Sequence, residues 1–173
     1  DIHIITSSST YNTNEDNPVT SQITVTDIYN KSFTYGVSSG PQNGGVTMDS
    51  LGNWTYTPNS HYHGEDSFTV IVVDNNTVNY VQQTITIAVK PVNDIHIITS
   101  SSTYNTNEDN PVTSQITVTD VDNKIFTYSV SSGPQNGGVT IYSWGNWTYI
   151  PNSNYHDEDS FTVNVLDNDT SNT

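Results

Sequence analysis

The chain has 173 residues, 32% hydrophobic and 12% charged, with no cysteine and a formal net charge of −15 that only Lys31, Lys90 and Lys124 offset. That balance excludes a nucleic-acid binder, which needs basic patches to neutralise phosphate, and makes an anionic membrane surface an equally poor partner. No apolar run approaches membrane-spanning length, and no signal peptide is present, so the chain reads as an internal piece of a longer protein.

From the N-terminus onward the apolar pattern has period two, with no helical stripe. "HIIT" and "STYN" predict a first, broken strand. "PVTSQITVTD" predicts a second, with Val19, Ile23 and Val25 in phase. "SFTYGVS" follows, with Phe33, Tyr35 and Val37 inward. "GGVTMDSLGNWTYTP" reads as a hairpin closed by a turn containing glycine. "DSFTVIVVD" and "VQQTITIAVK" supply the last two strands, the second burying Ile85, Ile87 and Val89.

The pattern then starts again. "DIHIITSSSTYNTNEDNPVTSQITVTD" occurs at Asp1 and at Asp94, a period of 93 residues, and the two copies agree at about four positions in five. That period suits a whole domain. The boundaries are therefore 1–93 and 94–173, and the second copy has no counterpart of the strand at 81–90. The copies also show which face is buried: Phe68, Val70 and Val72 recur as Phe161, Val163 and Val165, whereas Ile71 becomes Asn164. Seven short strands separated by turns predict an all-β, two-sheet sandwich. A small core without disulfides leaves each copy marginal on its own.

Strand alternation assigns every loop to one of two poles. Of the 18 acids only Asp49, in the hairpin turn, lies outside the pole loops and linkers. The C-terminal pole of the first copy carries Glu15, Asp16, Glu65 and Asp66. The linker carries Asn93 and Asp94. The N-terminal pole of the second copy carries Asp120, Asp122, Asp167 and Asp169. Carboxylates brought together in this way repel one another and raise each other's pKa unless a cation lies among them. Hard oxygen donors on loops suit Ca²⁺, which takes about 6–8 oxygens. Acidic loops that merely discourage aggregation are the plainer explanation. They do not explain why the exposed strand faces carry Thr, Ser and Gln rather than charge.

The motifs "NEDNPV", "GNWTYTPNSHYHGEDSFTVIVVDN" and "KPVND" resemble the cadherin-like tandem repeats of bacterial RTX-type surface adhesins. The resemblance covers the first copy and the second up to its missing strand. It implies a Greek-key sandwich with Ca²⁺ held between consecutive domains. It also implies ligand roles for Glu15, Glu65 and Asp66, for the linker residues Asn93 and Asp94, and for Asp120, Asp122 and Asp167. Tyr29 replaces the acid equivalent to Asp122, and Asn76 the one equivalent to Asp169. The N-terminal pole of the first copy, with Asp27 and Asp74, is therefore the poorer site. At the far end Glu108, Asp157 and Asp159 lack a linker after them.

Other chemistries are weaker. Paired carboxylates serve glycosidases, but these belong to loops with no cleft implied. "HYH" at 61–63 could contribute to a Zn²⁺ site, yet His61 is Asn154 in the other copy, which favours a polar loop residue. Trp54 and Trp147, alternating with Tyr56 and Tyr149, fit core packing better than a carbohydrate- or protein-binding surface. Trp144, where the first copy has Leu51, is the one unpaired aromatic of interest. The expectation is a non-catalytic spacer of a large adhesin at the bacterial surface, stiffened by Ca²⁺ and serving adhesion or biofilm formation. Its partners are neighbouring repeats, with self-association through the open edge of the second copy.

Overall fold

The computed structural model describes residues 3–26, 32–122 and 125–168. The chain divides into two compact units, Asp1–Val92 and Asn93–Thr173. All regular structure among the described residues is strand.

Unit 1 contains β1 (Ile4–Ile5), β2 (Thr10–Asn14), β3 (Val19–Gln22), β4 (Val25–Thr26), β5 (Phe33–Ser39), β6 (Gly44–Met48), β7 (Asn53–Pro58), β8 (Gly64–Asp74) and β9 (Tyr80–Lys90). One sheet has the order β2-β9-β8-β5 and another β3-β7-β6, while β1 pairs with β4. The broken first strand expected from the sequence is β1 followed by β2. Between them Ser8 Oγ accepts from Thr10 N–H at 3.2 Å and donates to Thr10 C=O at 3.0 Å. This local bonding lets the chain leave β4 and join β9 in parallel, Thr10 beside Thr86 through Asn14 beside Lys90. The second strand is also interrupted, between β3 and β4, where Ile23 N–H donates to Gly52 C=O in the hairpin turn at 2.9 Å.

The two layers close over Ile23, Trp54, Tyr56, Phe68, Val70, Val72, Ile85, Ile87 and Val89. Each such aliphatic or aromatic side chain stabilises the fold by roughly 1.5–3 kcal/mol relative to exposure. Trp54 meets Tyr11 and Phe68 edge-on, at 4.8 and 5.2 Å between ring centroids.

Unit 2 repeats most of this: β10 (Ile97–Ile98), β11 (Val112–Gln115), β12 (Val118–Thr119), β13 (Phe126–Ser132), β14 (Gly137–Ile141), β15 (Asn146–Pro151) and β16 (Thr162–Asp167). No strand equivalent to β9 is present among its described residues, and two consequences follow. Residues 103–107, equivalent to β2, form no strand, because the ladder they would join is absent. β16 begins at Thr162, whereas β8 begins five positions earlier in the repeat, at Gly64. The core is thinner as well. Phe161, Val163 and Val165 are only half-buried, while Phe68, Val70 and Val72 are buried on a strand flanked by β9.

Candidate metal-binding poles

In unit 1 the structure brings the turn after β2 to the loop before β8. Glu15 is 2% exposed. Its N–H donates to Lys90 C=O at 2.8 Å, and its Oε1 accepts from the N–H of Val92. Its Oε2 is buried and accepts no hydrogen bond, with His63 Nδ1 4.0 Å away. Beside it Asp16 Oδ1 accepts from His61 N–H at 3.0 Å, and Asp16 Oδ2 lies 3.6 Å from His61 Nδ1. The residues after β9 are what bury Glu15. Its equivalent Glu108 lacks that cover and is exposed.

Glu65 and Asp66 were expected in a loop. They lie instead on β8, which starts at Gly64 because β9 pairs with it along its whole length. Strand alternation then separates them: Glu65 is exposed and Asp66 buried. Asp66 differs from the free ligand expected. Oδ1 accepts from Gln42 N–H and Ser67 N–H at 3.1 and 2.9 Å. Oδ2 accepts from Asn43 N–H and the Tyr56 hydroxyl, both at 2.9 Å. Four accepted bonds account for the lone-pair directions of a carboxylate, so a cation would have to displace one. Burial pushes the Asp66 pKa up, but these donors outweigh it and hold the carboxyl below the ordinary value. Asp159 in unit 2 has the same cradle, from Gln135, Asn136, Ser160 and Tyr149.

In unit 2 the linker joins the opposite pole. Asp94 N–H donates to Asp122 Oδ2 at 2.9 Å, and Asp122 N–H donates to Asp120 Oδ1 at 2.8 Å. Asn93 caps the same segment, its Nδ2 donating to Asp94 C=O at 3.2 Å. His96, Asp120 and Asp167 each place one ligand atom within 4.8 Å of the others. His96 Nε2 donates to Val165 C=O at 3.2 Å, which leaves Nδ1 as the ring's acceptor nitrogen. His96 was not among the expected site residues. The available signal was that His3 occupies the same place in the first copy, where Nε2 reaches Val72 C=O at 3.4 Å.

At the N-terminal pole of unit 1, Asp74 is 1% exposed. Its Oδ1 accepts from Asn76 N–H and its Oδ2 from the Thr77 hydroxyl, both at 2.8 Å. This is a turn-closing arrangement. The expected ligand Asp27 lies outside the described residues, as does Asp169. The hairpin aromatics considered for a sugar-binding surface point inward: Trp54, Tyr56 and Trp147 are buried. Tyr142 and Trp144, at the hairpin turn of unit 2, are exposed.

The model of the bacterial cadherin-like domain matches residues 4–91 and again 93–173. The chain belongs to the bacterial cadherin-like domain family. No curated protein matches it. Among solved structures, the two cadherin-like units are similar to Drosophila N-cadherin EC1-4, at 14% identity and TM-score 0.54 over 91% of this chain and 46% of that one. They are also similar to human protocadherin-24 EC1-2, at 19% identity and TM-score 0.52 over 95% and 92%. These likenesses show the sandwich fold. An endo-fucoidan hydrolase of glycoside hydrolase family 107 matches at 20% identity and TM-score 0.44 over 97% of this chain, which spans 27% of that enzyme's length.

Proposed function

We propose that the two cadherin-like units are extender repeats of a larger bacterial surface protein of the RTX adhesin type, made stiff by Ca²⁺. The observation that carries this reading is Glu15, a buried carboxylate whose Oε2 accepts no hydrogen bond while Oε1 is tied to the N–H of Val92 in the linker. A buried carboxylate oxygen without a donor costs several kcal/mol unless a cation reaches it.

The donors present are hard oxygens, as Ca²⁺ requires. In this reading Glu15 and Glu65 of unit 1, and Asn93, Asp94, Asp120, Asp122 and Asp167 of unit 2, are Ca²⁺ ligands. Asp66 shapes the pole around it. Ca²⁺ supplies positive charge, and the chain supplies loops pinned by their own backbone bonds, as in the Asp94–Asp122–Asp120 series. The role is mechanical rather than catalytic. Neighbouring repeats are the partners, the location is extracellular, and the product is a rod that projects a distal adhesive region for attachment or biofilm growth.

Thermal melting and small-angle scattering in Ca²⁺ and then in EDTA test the proposal. Chelation lowers Tm and broadens the distance distribution, and one site filled to 100 times its Kd contributes about 2.7 kcal/mol. An identical melt and identical scattering in EDTA would overturn it. A glycan array tests the exposed Tyr142–Trp144 surface separately, with specific hits there favouring a binding module.

A further inference from the structure

The pole of unit 1 carries two imidazoles that Ca²⁺ does not use. His61 Nδ1 lies 3.6 Å from Asp16 Oδ2, and His63 Nδ1 lies 4.0 Å from Glu15 Oε2. Both separations exceed hydrogen-bond range. The first is close to the spacing of two ligands on one small ion, since tetrahedral donors about 2.0–2.1 Å from a metal stand roughly 3.3 Å apart. Glu15, Asp16 and His61 already place ligand atoms within 4.8 Å of one another. The Glu15 side chain is 1% exposed and its Oε2 has no donor, whereas the His63 side chain is 55% exposed and forms the rim. A buried anionic floor beneath a solvent-facing histidine rim gives an ion both a destination and a way in.

We infer that Glu15, Asp16 and His61, with His63 at the rim, form a binding site for a borderline divalent transition ion such as Zn²⁺, distinct in chemistry from the Ca²⁺ set. Two nitrogens and two carboxylate oxygens match the donor preference of Zn²⁺ and its neighbours. Ca²⁺ takes oxygen donors. All four residues belong to unit 1, and Glu15 Oε2, the oxygen on which the Ca²⁺ reading rests, is also the floor of this site, so the two ions compete for it.

Unit 2 is a built-in control. There Asn154 replaces His61, Glu108 is exposed, and His156 Nδ1 lies 3.2 Å from Asn154 C=O. The equivalent pole of unit 2 should therefore hold no such ion.

The test uses the 173-residue chain in Ca²⁺-free buffer, titrated with Co²⁺ followed by its visible ligand-field bands and then displaced by Zn²⁺. NMR shifts are expected at the His61 and His63 rings and none at His156. His61→Asn should weaken binding at least about tenfold. That variant preserves the fold, because Asn154 has φ 59° where His61 has 58° and its N–H makes the same bond to Asp109 Oδ1 at 2.9 Å. His63→Asn should weaken binding similarly, and the Ca²⁺-dependent rise in Tm should persist in both variants. Unchanged Co²⁺ affinity in His61→Asn, shifts at His156 equal to those at His61, or loss of the Ca²⁺ response with the imidazole would each overturn the assignment. Zn²⁺ binding without any Ca²⁺ effect would sustain it while removing the Ca²⁺ reading.

Discussion

The Tyr56 hydroxyl donates to Asp66 Oδ2 at 2.9 Å, and 93 positions later Tyr149 donates to Asp159 Oδ2 at the same distance. The tyrosines lie on β7 and β15. The same carboxylates accept the N–H groups of the turn after β5 and of the turn after β13. In unit 1 the pair thus ties both layers to one turn. Asp66→Ala strands three N–H groups and a hydroxyl, and should cost unit 1 about 3 kcal/mol. Denaturant unfolding monitored separately in the two units measures it.

These pairs also set the behaviour of the units at extremes of pH. The Asp66 and Asp159 carboxyls lie below their ordinary value of 3.8, because the donor hydrogen bonds outweigh the burial that would raise them. Their contribution to stability is complete above 3.8 and is lost as pH falls through their lower folded values. For Tyr149, burial first and the Asp159 bond second push the hydroxyl up to about 12 from 10.0. That contribution is complete below pH 10 and drains away as pH rises towards 12. Ultraviolet titration should show Tyr149 ionising late, and Asp159→Asn should bring it back towards 10.

Ligand substitutions should rank by position. Asp122→Ala and Asp94→Ala remove carboxylates from the acid series beside the linker, and should weaken Ca²⁺ binding at least about tenfold. Asp49→Ala should leave binding intact. Asp49 accepts from Leu51 N–H, Asn53 N–H and Asn53 Nδ2, all within its own hairpin turn. Calorimetric titration of the three variants decides, and equal losses would refute the ranking.

Extending the chain after Thr173 with a copy of residues 81–94 should repair unit 2. The added strand gives residues 103–107 a ladder to join and lengthens β16 towards Asp157. Hydrogen exchange should slow across both segments, Tm of unit 2 should rise, and light scattering should show less self-association. No change in exchange at 103–107 would count against the pairing scheme.

Gly44 and Gly137 test the packing over the tyrosine rings. A Cβ at Gly44 would lie 2.6 Å from Thr57 C=O and 2.7 Å from the Tyr56 ring, and at Gly137 2.5 Å from the Tyr149 ring. Gly44→Ala should destabilise unit 1 by about 1–3 kcal/mol, while Gly45→Ala, with open space around it, should not. Paired chemical melts of the two variants check this.

The sandwich was legible because Phe68, Val70 and Val72 alternate, and because the other copy keeps those three while releasing Ile71. Pole membership was legible too, since strand parity alone sends the turn at Glu15 and the loop at His63 to one end. The fate of individual acids was not. The fate of Asp66 against Glu65 was not readable, because two of the four donors to Asp66 come from Gln42 and Asn43, more than twenty positions away. Nor does period two reveal that residues 103–107 need a parallel partner, because such pairing leaves no mark on the segment itself. The histidines are a further case. A difference between copies at position 61 reads as drift until Asp16 is found beside it.

The parallel pairing of β2 with β9 has a consequence under load. Tension entering unit 1 near Thr10 and leaving near Lys90 pulls these neighbouring strands lengthwise past each other. The bonds between Thr10 and Thr86, and onward to Asn14 and Lys90, then resist as a group rather than opening one at a time like a zip. Forced unfolding is governed by the rate of barrier crossing, so this short seam, more than the buried core, sets the force at which unit 1 yields when pulled from its ends.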